Sequence, residues 1–364
     1  MKRVHVAIVG LGIGKAHLEA YAALPHLYKV TVLCDLDAAR AAEAGKPYGG
    51  IAVETDFDRL IARQDVDLID ICTPPNQHFP MIGKVLAAGK HVVCEKPLVG
   101  SLRDCDALIG LTQKARGKLI PVFQYRWGNG LQRLKHLVDK GIAGPVFLSA
   151  IETSWRRDSD YYAVQWRGKY GTEMGGVCLT QAIHAHDMLS YIVGPVASVF
   201  ARSNTSVNPI EVEDCAVASL LMADGSLATL AATLGSANEI SRLRFMFKNL
   251  TAESQSPEPY RPGREPWAIL GKTPEIEEEI AEVLRHFKPG LESFEGQFEA
   301  MHANLWGEAA PAVTLADARR SLELITALYH SAETGQSVAL PIGPAHEKYG
   351  NWVPVKRTRR NLWA

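Results

Sequence analysis

The 364-residue sequence predicts two domains of different class: an α/β domain with a doubly wound parallel sheet over residues 1–122, then an α+β domain on a largely antiparallel, open-faced sheet over 123–342, with 343–364 as a tail. Three observations predict it. The chain is longer than one core usually organises, and 47% hydrophobic against 22% charged residues is enough apolar matter for two. Up to residue 122, short β-branched runs alternate with helical patterns, which is the grammar of a parallel sheet covered by helices. Beyond it the strand-like runs lengthen, and all seven tryptophans occur there, beginning with Trp127.

Strands are expected at 4–9, 29–34, 51–54, 68–72, 91–94 and 119–122, and helices at 14–24, 37–44, 57–63, 78–88 and 102–116. Most of these strands are nearly unbroken apolar runs, as burial on both faces requires. Right-handed crossovers then bring the carboxyl ends of all of them to one edge, where ligands bind. In the second part a helix at 129–140 ends at Gly141, and strands follow at 145–154, 196–206, 214–222, 226–234 and 242–248. Ala223-Asp224-Gly225 has the composition of a hairpin turn. Five prolines between 257 and 274 mark residues 251–274 as loop, and Thr314 with Asp317 opens a helix over 315–332 that Gly335 can stop.

Charge excludes several classes of function. Lysine and arginine number 39 against 40 acids, a net charge of −1, so there is no basic excess for nucleic acid or anionic lipid and small-molecule chemistry is favoured. The basic run Lys356-Arg357-Thr358-Arg359-Arg360 reads as a solvated tail. No apolar run approaches a membrane span, and the N-terminal apolar stretch is a first strand rather than a leader. The six cysteines have neither CxxC pairs nor close metal-ligand spacing, which points to free thiols and a cytoplasmic location.

The chemistry-bearing residues fall at strand ends. Gly10, Gly12 and Gly14, with Leu11 and Ile13 between them, follow the first strand and open a helix. Glycines let the backbone approach a pyrophosphate, and the helix start favours the anion. Asp35 lies 21 residues after Gly14, at the end of the second strand. A carboxylate there accepts hydrogen bonds from ribose hydroxyls and repels a 2′-phosphate, which favours NAD over NADP; its other reading is a helix cap, a role that suits Asp37 better. Thr73, Pro74, Asn76 and His78 follow the fourth strand, and Glu95-Lys96-Pro97 the fifth. A lysine at that rim either hydrogen-bonds a substrate hydroxyl or runs to solvent beside Glu95.

Together these segments resemble the glucose–fructose oxidoreductase / inositol dehydrogenase (Gfo/Idh/MocA) family. The resemblance rests on Gly14-Lys15-Ala16-His17, Thr73-Pro74-x-Asn76-x-His78 and Gly89-Lys90-His91-Val92-x-Cys94-Glu95-Lys96-Pro97, then Gly141-x-x-Gly144-Pro145-Val146 and the segment from Gly175 through His184 to Asp187. It implies a Rossmann domain, NAD as cofactor, and hydride transfer at a secondary alcohol of a sugar, glycoside or cyclitol. It implies further that Gly10, Gly12, Ile13, Gly14, Asp35, Thr73, Pro74, Asn76, His78, Glu95 and Lys96 line the cofactor, that Lys96 contacts substrate, and that His184 is the acid/base. An imidazole suits that work because it titrates near neutrality. The family's usual acid four residues before the histidine is Thr180 here, so Lys96 and His184 carry more of the proton chemistry. Related readings are a tightly held NAD used in transient oxidation and a non-catalytic NAD-binding sensor.

Trp166, Arg167 and Tyr162 belong to an aromatic and basic stretch suited to sugar faces and hydroxyls, or equally to core packing. Gln124 and Arg126 either reach the nicotinamide end or form a salt-bridged joint. His184 and His186 point apart on a helix and cannot share an ion, so no metal is expected, and Asp187, one turn on, can fix the His184 tautomer. An open-faced sheet implies a homodimer or homotetramer.

Overall fold

The computed structural model describes residues 3–308 and 312–354. They form two compact units: residues up to Gln124 together with Phe294–Arg319, and Tyr125–Ser293 together with residues from Arg320 onward.

The first unit begins β1 (Val4–Val9), α1 (Gly14–Ala23), β2 (Tyr28–Cys34), α2 (Ala38–Gly45), β3 (Ala52–Glu54) and α3 (Phe57–Ala62). It continues with β4 (Leu68–Ile71), α4 (His78–Ala87), β5 (His91–Cys94), α5 (Leu102–Thr112) and β6 (Leu119–Pro121). The strands pair in the order β3-β2-β1-β4-β5-β6, all parallel. The order reverses between β1 and β4, and at such a switch point the crossover helices leave on opposite faces and open a crevice at the carboxyl edge. Gly10 and Cys72 stand at that edge, each donating its N–H back into the sheet, to Cys34 and Val9.

The second unit holds α6 (Asn129–Asp139), β7 (Val146–Arg156), α7 (Ser159–Tyr162), α8 (Val177–Thr180), α9 (Ile183–Val193) and β8 (Val196–Asn204). Next come β9 (Cys215–Met222), β10 (Leu227–Thr233), β11 (Gly235–Phe247), β12 (Leu250–Ser254), β13 (Trp267–Gly271) and α10 (Pro274–Arg285). After α11 (Ser293–Leu305), which belongs to the first unit from Phe294 on, α12 (Leu315–Thr334) and β14 (Val338–Ala339) complete the second unit. Its eight strands run β13-β12-β11-β7-β10-β9-β8-β14, with β7 and β10 parallel and every other pair antiparallel. Along β9 and β10 buried and exposed residues alternate, so one face is covered and the other open.

Four sequence expectations are corrected. The division at 122/123 misses α11, whose Phe294, Phe298 and Met301 join the core of the first unit. Tyr21 stacks on Phe298 at 4.2 Å, and Tyr28 donates its hydroxyl to the Phe298 carbonyl at 2.7 Å. Residues 251–274 are not all loop, because β12 and β13 pair across a proline-rich connection, and Pro274 opens α10, where a missing N–H costs nothing. β11 starts at Gly235 rather than 242, through a polar stretch whose register with β7 shifts. Residues 343–354 are not a free tail: Trp352 is 1% exposed and donates its indole N–H to the Met174 carbonyl. The basic run 356–360 lies outside the described residues.

Candidate active site

In the first unit the glycine loop turns at Gly10, whose φ of +90° suits only glycine and whose imagined Cβ would lie 2.7 Å from the Cys72 carbonyl oxygen. The space in front of Gly12 is open, and Ile13, at the head of α1, is exposed. No side chain caps α1, and its first turn holds no acid, so the helix start is left to an external anion.

Asp35 is buried at the end of β2. Its Oδ2 accepts from Leu11 N–H at 2.8 Å and its Oδ1 from Asp37 N–H at 3.0 Å, which fastens the glycine loop to β2. Arg40, from α2, adds Nε at 3.1 Å to Oδ2 and a second bond to Oδ1. Burial opposes the charge on Asp35, but the Arg40 hydrogen bond and the two N–H groups outweigh it and hold the carboxyl below its usual range. Asp37 caps α2.

Thr73, Pro74 and Asn76 are half-buried beyond β4. The His78 ring is buried between two carbonyls, Pro97 O on Nδ1 and Thr73 O on Nε2, each at 2.9 Å, so it braces both loops. Burial pushes its protonation down. Glu95 is buried and accepts the Lys96 backbone N–H on Oε2 at 2.9 Å; Lys96 itself is half-buried. Gln124, 7% exposed, leaves its Oε1 buried without a hydrogen-bond partner among the described residues. An uncapped helix start, open space at Gly12, a buried carboxylate at the end of β2 and an orphaned carboxamide oxygen fit a dinucleotide with a polar ring substituent.

In the second unit α9 carries His184, 4% exposed, with the Tyr125 ring stacked on it at 4.1 Å and 18°. The next residue, Arg126, grips Asp187 with Nε at 2.7 Å and Nη2 at 2.6 Å and lies over the Tyr191 ring at 4.8 Å. The Arg126 guanidinium is thus bound to Asp187, one turn from His184. His186 is buried, and burial pushes its pKa down to about 4.

The segment entering α9 is held from below by Glu213, which accepts N–H bonds from Gly176 and Cys178 at 3.0 Å and the Tyr329 hydroxyl at 3.0 Å. Gly176 is required there, since a Cβ would meet the Glu213 carbonyl oxygen at 1.7 Å. Thr180 donates to the Gly176 carbonyl at 2.8 Å and bonds the Gln181 side chain, which in turn reaches the Tyr161 hydroxyl. Arg167 lies over the rings of Tyr161 and Trp166 at 3.9 and 4.4 Å, hydrogen-bonds the Tyr161 hydroxyl and faces Glu173 at 3.5 Å. Tyr162 meets Tyr161 edge to face. Thr180, Trp166, Arg167 and Tyr162 are therefore one connected group.

Sequence reasoning missed Arg40 and Tyr125. Arg40 had a local signal, one helical turn beyond the capping Asp37. Tyr125 had none, because only the tertiary fold lays residue 125 against residue 184.

The profile of the oxidoreductase family with an NAD-binding Rossmann fold matches residues 4–123, and that of the GFO/IDH/MocA C-terminal domain matches residues 131–251. The chain is 29% identical over 235 residues to the uncharacterized oxidoreductase YrbE of Bacillus subtilis, covering 63% of this chain and 67% of that protein. It is 31% identical over 214 residues to myo-inositol 2-dehydrogenase of Thermotoga maritima, covering 56% of this chain and 60% of that one. The crystal structure of the WlbA dehydrogenase from Bordetella pertussis with NADH and UDP-GlcNAcA superposes with a TM-score of 0.81 at 26% identity, over 94% of this chain and 100% of that one. With both halves matched in sequence order, the chain belongs to the Gfo/Idh/MocA oxidoreductases, and its first part is their NAD-binding Rossmann domain.

Proposed function

We propose that the protein is an NAD-dependent dehydrogenase acting on a ring secondary alcohol of a sugar, glycoside or cyclitol. The observation that carries this reading is His184, a buried imidazole held face-on by Tyr125 beside the Arg126–Asp187 pair, in a chain whose first domain binds NAD. Relatives named for inositol oxidation and solved with a UDP-sugar support the substrate class.

Gly10, Gly12, Ile13 and Gly14 present backbone N–H groups to the pyrophosphate, and Asp35 takes the adenosine ribose. Thr73, Pro74, Asn76, His78, Glu95 and Gln124 wall the cofactor, with the orphaned Gln124 Oε1 accepting from its carboxamide. When bound, NAD supplies the hydride acceptor. Lys96 hydrogen-bonds the reacting hydroxyl, and His184 takes the proton that the hydroxyl loses. Thr180 orients substrate through its hydroxyl but cannot accept a proton at neutral pH, and Trp166, Tyr162 and Arg167 offer aromatic faces and donors to the ring. Arg126 serves the site through Asp187.

Screening sugars, glycosides and inositols for NADH formation tests the reading. Lys96→Ala and His184→Ala are each expected to lower kcat by about a hundredfold or more; near-normal turnover in both would defeat the assignment.

The open sheet face carries Leu148, Phe200, Val217, Leu221, Leu227 and Leu270, all exposed, with Leu227 paired in register to both Leu148 and Leu221. This apolar surface supports association of copies into a homodimer or homotetramer. A monomer in sedimentation would retire that part. Six free cysteines support a cytoplasmic location, and among the described residues no helix is long and apolar enough to cross a membrane.

A further inference from the structure

His17, in the first turn of α1, is fully buried, and nothing in the hydride-transfer reading uses it. Its Nδ1 lies 2.7 Å from Asp70 Oδ2, and its Nε2 lies 3.0 Å from Glu95 Oε1. Both partners are carboxylates, which only accept, so the ring donates from both nitrogens and is an imidazolium. Burial opposes that charge, but Asp70 outweighs it and holds the proton well above the usual histidine range. The other titratable groups facing the ring are Cys72, 3.5 Å from Nδ1 and kept protonated by burial, and Tyr21 on the same helix, whose hydroxyl burial and Asp70 keep protonated. Phe294 and Phe298 pack their rings against it at 4.3 and 5.3 Å. His17, Asp70 and Cys72 cluster tightly enough to suggest a metal site. Both ring nitrogens are taken by carboxylates, however, and the thiol holds its proton, so the cluster is a hydrogen-bonded clamp.

The clamp has a direction. His17 takes one oxygen of Glu95, and the other oxygen accepts the Lys96 backbone N–H at 2.9 Å. We propose that His17 is a positioning residue for Lys96: through Glu95 it ties the root of the lysine side chain to the first turn of the dinucleotide-binding helix and to β4. The proposal rests on the reading of Lys96 given above. A lysine has four rotatable bonds, so its amine reaches one place reproducibly only if its Cα does. A displacement of about 1 Å far from the chemistry costs up to a hundredfold in rate.

The test uses full-length His17→Gln and, because a buried histidine can be needed for folding, Glu95→Gln, which keeps the shape of the clamp. Three quantities are measured on each: NADH affinity by fluorescence titration, kcat and KM, and the pH midpoint for acetylation of Lys96, followed by mass spectrometry without cofactor. Both variants are expected to lower kcat by about tenfold to a hundredfold, and in His17→Gln, which lies outside the cofactor wall, KM and NADH affinity are expected to change far less. The Lys96 midpoint is expected to rise in His17→Gln, where Glu95 loses its cationic partner, and to fall in Glu95→Gln, where the neighbouring negative charge is gone. Opposite displacements are a signature that general loosening does not produce. Wild-type kcat and an unmoved midpoint in either folded variant would overturn the proposal. If Lys96→Ala itself keeps full activity, the reading of Lys96 fails instead; an inactive Lys96→Ala beside a fully active His17→Gln ends only the present inference.

Discussion

The two candidate catalytic side chains are anchored by opposite means. Lys96 is half-buried, and its backbone is fixed through a buried charge clamp joining α1, β4 and the end of β5. His184 is itself buried, and what is fixed is its ring plane, through the Tyr125 stack and the neighbouring Arg126–Asp187 pair. The difference follows from the side chains. An amine needs a fixed root and freedom at the tip, whereas an imidazole must present one nitrogen along one direction and so needs its plane set.

That contrast can be broken experimentally. The largest effect is expected from Arg126→Ala, which strips Asp187 of its bidentate partner in a site where both side chains are about 5% exposed or less. Loss of a buried pair's partner costs about 3–5 kcal/mol, readable by urea unfolding; a loss below about 1 kcal/mol would show that the pair does not anchor α9. Glu213→Gln comes next. Burial outweighs the hydrogen bonds that the Glu213 carboxylate accepts and lifts its pKa to about 7 from an ordinary 4.5. A raised carboxyl contributes stability that is fully present below its unfolded pKa and lost as pH rises through the folded one. Wild-type stability therefore falls by on the order of 3 kcal/mol between about pH 4.5 and 7 on this account, and the glutamine variant, which has no proton to lose, shows a flatter profile. Parallel profiles would place the titration elsewhere. The smallest effect is expected from Asp35→Ala, which touches neither anchor. It should weaken NAD and relax discrimination against NADP by about tenfold, roughly 1.4 kcal/mol, because Arg40 remains to meet a 2′-phosphate. Unchanged cofactor preference would remove Asp35 from the ribose site.

Legibility divides along the same line. The strands of the first unit were readable because burial on both faces demands unbroken apolar runs, and their observed ends lie within a residue of expectation. β12 and β13 were not, because five-residue strands beside a proline cluster carry less signal than the prolines do. Among the candidate site residues, Gly10, Asp35 and Lys96 were legible as positions because each stands just past a strand end, where position along the chain predicts position in space. Arg126 was legible as a residue but not as a partner: its two readings, a reach to nicotinamide or a salt bridge, differ only in what lies across from it, and that is Asp187, 61 residues on. His17 was visible within a motif, yet nothing local tells that residues 70 and 95 close on its two nitrogens.

Sequence by itself determined the class of each half, the dinucleotide loop and the residue types able to carry proton chemistry, since these depend on periodicity and on spacing within one element. Tertiary structure alone decided that α11 completes the first core, that the Tyr125 ring stacks on His184, and that His17 meets Glu95, the residue before Lys96. Contacts between residues tens of positions apart are chosen by how buried apolar faces and buried charges are jointly satisfied, and that choice belongs to the whole fold rather than to any segment.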